Sequence, residues 1–392
     1  MQLNLQSSLL TDLEIKQKSS TFEKPGSWPD IRKNTQNGHI YLLADMRYPL
    51  GFTATVTGGY SVNIDGGYYA DYNSQAQFSM ADWAEYTDTE GYAIDYPTNA
   101  TKAHIIDIYP QTDNNDITRF QFKRVSGSVQ EEQGCLWCHF NLNTSINLQR
   151  FSAEQNTVWQ KLCEAITAKN NTIKFLQYGT GWLLRGMPNI KYIPVLDCNN
   201  TDAYFNYMAS NLTNLTSITV KNANVVDADD AFSESINIES IKFVNVDTSS
   251  CSSLPEMFRN NRSLRQLPDL DFSSSTVAFS FLTNATALEN TILDVSFATG
   301  LQKISCYGTS TYFMTGFKGL RVSNQAPFDH TSAPQINVSY TGMDRTALVQ
   351  LFNDLPIVSN GQIIDITGTT GREDLTNDDK AIATDKGWTI AL

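Results

Sequence analysis

Cys135-Leu136-Trp137-Cys138-His139 is the segment whose residue types and spacing match a known cofactor-binding string. Two cysteines followed by a histidine attach a c-type haem, and similar spacing occurs in zinc knuckles. The surrounding residues, 134–142, read as a strand, in which successive side chains point to opposite faces. Cys135, Trp137 and His139 then share one face, while Leu136, Cys138, Phe140 and Leu142 share the other. Two such cysteines do not converge on a metal or a porphyrin edge. A zinc site also needs a second Cys or His pair, and His39, His104 and His330 are scattered singly. The six cysteines, which include Cys163, Cys198, Cys251 and Cys306, are expected to be small apolar fillers.

Other chemistry is sparse. The acidic clusters Asp227 to Asp230 and Asp374 to Asp379 offer oxygen ligands of the kind Ca²⁺ prefers. Neither follows the EF-hand spacing, and both read as solvated turns or helix N-termini. Four histidines, with no Gly-x-Ser-x-Gly elbow, phosphate-binding glycine loop or His-Glu-x-x-His string, leave little for catalysis. A carboxylate pair for glycoside hydrolysis is recognised only by its spatial separation. The chain is therefore expected to be noncatalytic, with no cofactor and no metal. Contact chemistry is better represented. Tyr68, Tyr69 and Tyr72 flank a Gly-rich turn and either pack in or beside the sandwich or form a sugar-stacking or protein-contact patch, because tyrosine supplies rigid amphipathic area. Tyr307, Tyr312 and Phe313 interrupt the later repeat rhythm and suggest a second contact surface.

Composition narrows the partners. The 392 residues carry 28 basic and 41 acidic groups, a net charge of −13, which argues against nonspecific nucleic-acid or anionic-membrane binding. No apolar run approaches the roughly 18 residues of a membrane helix, so no membrane insertion is expected. The first residues lack the basic and then apolar pattern of a secretory signal. Charged residues make up only 18%. Asn, Ser and Thr take their place, as in β-rich external and viral structural proteins.

The length predicts roughly two domains. Residues 1–35 read as a polar arm ending in the turn-rich Lys24-Pro-Gly-Ser-Trp-Pro29. Residues 36–150 read as all-β: Phe52 to Thr57 and Tyr60 to Ile64 alternate, Asp65-Gly66 signals a hairpin, and Ala103 to Tyr109 and Ile117 to Phe122 alternate again. Short strands at this spacing point to a two-sheet sandwich. A capping box at Ser152 to Gln155, with Val158, Leu162, Ala165 and Ile166 after it, predicts a helix that caps the C-terminal domain. Residues 151–392 carry an internal repeat. The anchors Ile190, Leu215, Ile238, Leu264 and Leu288 are spaced by 25, 23, 26 and 24 residues, each six after an apolar residue and most three before another. This period lies in the leucine-rich-repeat range and predicts a solenoid of strand-and-return units. Asp344 starts a helix, Thr376 or Asn377 caps a last one ending before Gly387, and Trp388 to Leu392 forms a closing strand.

Ile190-Lys-Tyr-Ile-Pro-Val-Leu-Asp197 and Leu264-Arg-Gln-Leu-Pro-Asp-Leu-Asp271 resemble BspA-type leucine-rich repeats. The ending, through Leu355-Pro356, Ile364-Asp-Ile-Thr-Gly368 and Ile382 to Ile390, resembles the closing segment of repeat-bearing tail and fibre proteins of tailed bacteriophages. Tyr60 to Gly67 and His104 to Tyr109 resemble degenerate markers of the PKD-like sandwich that often precedes such repeats. The fold implied is a PKD/Ig-like all-β sandwich followed by an α/β leucine-rich-repeat solenoid with capping helices at both ends. The role implied is a noncatalytic virion structural protein, a tail or fibre component in host attachment. Its partners would be other virion proteins through the N-terminal region, a host glycan or protein receptor, and further copies of itself. A bacterial surface adhesin and a capsid decoration or head fibre are the alternatives.

Overall fold

Alternating apolar residues give the N-terminal strands a common face to bury, and His39–Ala44 and Cys135–Asn141 are buried on both faces. The computed structural model describes residues 22–45, 48, 50–79, 92–95, 100–113, 115–123, 134–148, 162–175, 183–359 and 361–392. The larger sheet runs in the order Ala165–Ala168, Cys135–Asn141, His39–Ala44, Ala100–Pro110, Tyr60–Ile64 and Tyr68–Tyr72, and Tyr92–Asp95 also pairs with Ala100–Pro110. The smaller sheet runs Asn147–Leu148, Arg119–Phe122, Gly51–Thr55 and Gln77–Ser79. Ile40, Leu42, Val62, Ile106 and Ile108 of the first sheet and Phe52, Phe78 and Phe120 of the second are buried in one core. Ring centroids meet across the gap, Phe52 with Tyr60 at 6.4 Å and Phe120 with Phe140 at 6.0 Å. Asp65 and Gly66 are both left-handed, with φ of 51° and 75°. Their turn sets the register that pairs Ile64 with Tyr68 and Tyr60 with Tyr72.

One edge of the larger sheet's outer face is covered by the chain itself. Phe22, Trp28 and Ile31 pack with Leu43, Trp137, Leu162 and Tyr192 in a second apolar cluster. The described part of the expected arm is thus bound to its own sheet; residues 1–21 lie outside the described residues.

The strand bearing the cysteine motif contains a bulge. Leu43 pairs with Trp137, but the next residue, Ala44, pairs with Cys135. Leu136 is the extra residue, and the faces switch across it. Cys135 therefore joins Cys138 in the inner core, whereas Leu136 joins Trp137 on the outer side. The strict alternation expected for residues 134–142 is corrected accordingly.

The back half also differs from expectation. Among the described residues the protein is mostly β, and its repeats form a β-solenoid of about nine turns with two short α-helices, not an α/β leucine-rich-repeat solenoid. Thr172–Lys174, Val195–Tyr204, Ser217–Asp227 and Ser240–Asp247 stack as parallel rungs, and a later sheet stacks Val277–Ala278, Lys303–Ser305, Ile336–Asn337, Ile363–Asp365 and Thr389–Ala391. On the return side, backbone hydrogen bonds climb one turn at a time. Ala209 N donates to Ala231 O, Phe232 N to Met257 O, Phe258 N to Phe281 O and Leu282 N to Ser305 O, at 2.7–3.4 Å. Cys306 N to Asn337 O, Val338 N to Asp365 O and Ile366 N to Ala391 O continue the climb. The anchors Ile190, Leu215, Ile238 and Leu264 are buried at matching places in successive turns. Ser217 pairs with Ser240, and Arg265 N donates to Glu239 O.

The missing helices have a local cause. Phe205, Met208, Ala209 and Leu212 are buried at helical spacing, yet Tyr207 and Asn211 between them are left-handed. The same four-residue spacing of left-handed positions recurs at Asp230 and Glu234, Glu256 and Asn260, and Ser280 and Asn284. Each return is a bent β-type segment whose alternate N–H groups reach the next turn. The first capping helix is corrected as well: Ala165–Ala168 is a strand of the larger sheet, parallel to Cys135–Asn141, and the capping box and Val158 lie outside the described residues. The two α-helices among the described residues are Arg345–Asp354, capped by Asp344 accepting from Ala347 N at 2.8 Å, and Asn377–Thr384, with a capping box of Thr376 and Asp379.

Candidate functional site

The larger sheet buries one face in the main core and part of the other beneath Phe22 to Ile31, and its polar residues gather on that second face. In-register pairing lines them up in rows. One row runs Thr167, His139, Tyr41, Asp107, Asn63 and Tyr69. Beside it, Asn141, His39, Tyr109, Ser61 and Asp71 form a second. A strand fixes this placement without help from loops, because residues two apart necessarily share a face.

The rows are tied together side chain to side chain. His39 Nδ1 lies 2.8 Å from Asp107 Oδ1, and the His39 ring stacks on Tyr109 at 4.9 Å and on Tyr41 at 5.8 Å. Ser61 Oγ donates to Asp71 Oδ1 at 2.6 Å and sits 3.2 Å from the Tyr69 hydroxyl. These bonds hold the Asp71 carboxyl below the usual range, the Ser61 hydroxyl contributing most and Tyr69 next. Burial pushes the Tyr41 phenol up to about 12. Burial also raises Tyr109, and the neighbouring Tyr69, Asp107 and Asp71 add to the effect. Both hydroxyls therefore stay protonated and able to donate near neutral pH.

Where the outer face meets the segment after Tyr109, a groove of about 530 Å³ opens, lined by His39, Asn63, Asp107, Tyr109, Gln111 and Asn115 among others. The Gln111 amide donates to Tyr60 O and Tyr72 O, each at 3.2 Å, and Asn115 Nδ2 donates to Thr57 O at 2.7 Å. These bonds fix both side chains before any ligand arrives.

Of the tyrosines singled out from the sequence, Tyr69 is 56% exposed on this face. Tyr72 points the other way and stacks on buried Tyr60 at 5.2 Å. Tyr68 shares their strand, but its side chain lies outside the described residues. Tyr307, Tyr312 and Phe313 are half-buried on a late solenoid turn, where the Arg262 guanidinium sits 4.0 Å above the Tyr312 ring. His39, Asp107 and Tyr109 are not among the contact residues that the sequence suggests. The signal was present, since alternation in Ala103 to Tyr109 already puts Asp107 and Tyr109 opposite Ile106 and Ile108.

Among the described residues, no group of three His, Cys, Asp or Glu side chains is arranged to hold a metal. Asp379 is engaged by Arg345 at 2.8 and 3.0 Å and by the backbone of Thr376. Asp229 accepts from Ser253 at 2.8 Å. All six cysteines are free and buried. Burial raises the Cys135 and Cys138 thiols well above their ordinary value, which suits filler rather than nucleophile. No family model, curated protein or solved structure matches this chain.

Proposed function

We propose that this chain is a noncatalytic structural and binding protein displayed on a tailed-bacteriophage virion, as a tail or fibre component that takes part in host attachment. The observation that carries the proposal is the hydrogen-bonded climb from Leu184 to Ala391. A β-solenoid, as found in fibre-like proteins, is compatible with a structural role. In this role, the N-terminal region docks on neighbouring virion proteins and several copies act together, so weak contacts gain through effective concentration. The outer face of the larger sheet is the contact surface.

The test is antibody labelling of purified particles from the source culture, viewed by electron microscopy, together with mass spectrometry of the same particles. The chain should be found on them at an exposed appendage. Recovery only from the cell-surface fraction would replace the proposal with the adhesin alternative, and shortening of host polysaccharide by the purified protein would replace it with an enzyme.

A further inference from the structure

We infer that the groove on the outer face of the larger sheet binds a neutral saccharide, with Tyr109 as its aromatic contact and Asp107, Asn63 and Asn115 as its hydrogen-bonding groups. This names a receptor class for the attachment role and rests on that reading for its biological setting.

The chemistry of the lining selects the ligand. Among the described residues, Asp107 and Asp113 are its carboxylates and no Lys or Arg lines it directly, although the Lys169 ammonium donates to the lining Asn37 at 2.7 Å. Phosphate, sulfate and uronate groups therefore meet like charge from the two carboxylates, and an anionic ligand is disfavoured. Among the described residues, apolar side chains are nearly absent too: Tyr109 and Pro110 are the lining residues with apolar bodies apart from the imidazole of His39. A hydrophobic peptide anchor finds no pocket. A sugar suits both conditions, since its hydroxyls donate and accept and its C–H groups pack against the half-exposed Tyr109 ring beside the His39 stack.

The polar groups are pre-oriented and keep unused capacity. His39 holds one oxygen of Asp107, which leaves Oδ2 to accept from a hydroxyl. Asn115 spends its Nδ2 on Thr57 O, leaving Oδ1 to accept. Asn63 accepts from Gly66 N at 2.7 Å through Oδ1, leaving Nδ2 to donate. Two acceptors and a donor, each held by a second bond on its far side, form a set that ring hydroxyls satisfy with little ordering cost. The groove volume of about 530 Å³ falls in the ordinary range of small-ligand clefts, about 300–1,000 Å³.

The experiment is calorimetry and a glycan array with the full chain, using neutral oligosaccharides (glucose, galactose, mannose and N-acetylglucosamine types) against uronate- and sulfate-bearing ones. Binding should be confined to the neutral set. Asp107→Ala and Tyr109→Ala should each weaken it by about tenfold or more. Asp113→Asn, at an exposed loop position, should keep neutral binding while admitting acidic sugars, a change of preference that misfolding does not produce. Binding of acidic sugars by the unaltered protein, capture of basic or apolar peptides instead, neutral binding indifferent to Tyr109→Ala, or no saccharide bound would each overturn the inference. Particle labelling is independent of these results. A labelled particle whose protein binds no sugar keeps the structural role and removes the saccharide; sugar binding by a chain missing from particles does the reverse.

Discussion

The sandwich and the solenoid satisfy their polar groups in different ways. In the solenoid a side chain bonds to its own counterpart one turn away. Asn245 donates to Asn222 at 3.0 Å, Asn284 to Asn260 at 2.8 Å, and Asn260 to Glu234 at 2.7 Å. In the sandwich unlike residues meet from distant strands, as in His39 with Asp107, His104 with Asp65 and Asn141 with Gln36. Repetition spreads similar chemistry along the stack, so each turn depends mostly on its neighbours. Convergence of unlike groups needs strands whose order in space differs from their order in sequence. The groove on the larger sheet draws on such convergence, whereas a second groove of about 500 Å³ on the solenoid is lined by residues of successive turns, Asp230, Glu234, Glu256 and Arg259 among them.

The largest effects should separate the two halves by how far damage spreads. A Cβ at Gly316 would lie 1.5 Å from Leu288 O, a backbone atom of the preceding turn. Gly316→Ala should therefore disrupt that stack by more than loss of a core ring does. Phe258, stacked on Phe232 at 5.7 Å, should cost about 3–5 kcal/mol when replaced by alanine. Phe78→Ala in the sandwich, where the ring lies 4.5 Å from Phe52, should cost a similar amount. Urea unfolding gives the magnitudes and hydrogen exchange gives their spread. For Phe258→Ala, protection should fall mainly in adjoining turns; equal loss in the strand His39–Ala44 would break the comparison.

The same difference decides what could be read in the sequence. Sandwich strands advertise themselves by alternation, and Asp65-Gly66 marks its hairpin because both residues must be left-handed. Repetition was visible in the buried anchors from Ile190 to Leu264. The kind of repeat was not, because Phe205, Met208, Ala209 and Leu212 carry helical spacing while folding as a bent return. Periodicity alone cannot distinguish the two when a left-handed residue at every fourth position resets the direction of the chain. Composition held the warning, since returns rich in Asn, Asp and Ser are poor helices. The groove was hidden for another reason: Tyr69 was legible beside its turn, but His39 and Tyr109 are 70 residues apart in the sequence and meet only through strand pairing.

A smaller effect tests the asparagine ladder itself. Asn222 is left-handed at φ 55° and also donates to Asp197 Oδ1 at 2.9 Å. Asn222→Ala loses both the backbone preference and the bonds, and should cost about 1–2 kcal/mol. Asn222→Gly keeps the corner and loses only the bonds, so it should cost less. Thermal unfolding of both variants separates conformation from ladder. Equal losses would mean that the bonds carry the corner, and no loss in either would deny that self-pairing holds the turns together.

The smallest effect is a difference of sign. Burial, with help from Arg32, lowers His139 in the sandwich to about 4. The native state then binds fewer protons than the unfolded chain, whose histidine titrates near 6.5. Stability from this group is present above about 6.5 and is lost as the pH falls toward 4. Asp229 in the solenoid is raised to about 6, chiefly by burial and then by Asp227 and Asp230 against the Ser253 bond. There the native state binds more protons, so its contribution is present below 3.8 and is lost as the pH rises through about 6. Acidifying from pH 6 to pH 4 should therefore weaken the strand Cys135–Asn141 while strengthening the turn around Asp229. His139→Asn should flatten the first response and Asp229→Asn the second, each by a melting shift on the order of 2 °C. Because the two halves share one core, the shifts partly cancel in the unaltered protein and emerge only in the variants. If both variants moved the pH profile in the same direction, the two halves would not differ in how they hold their buried charges.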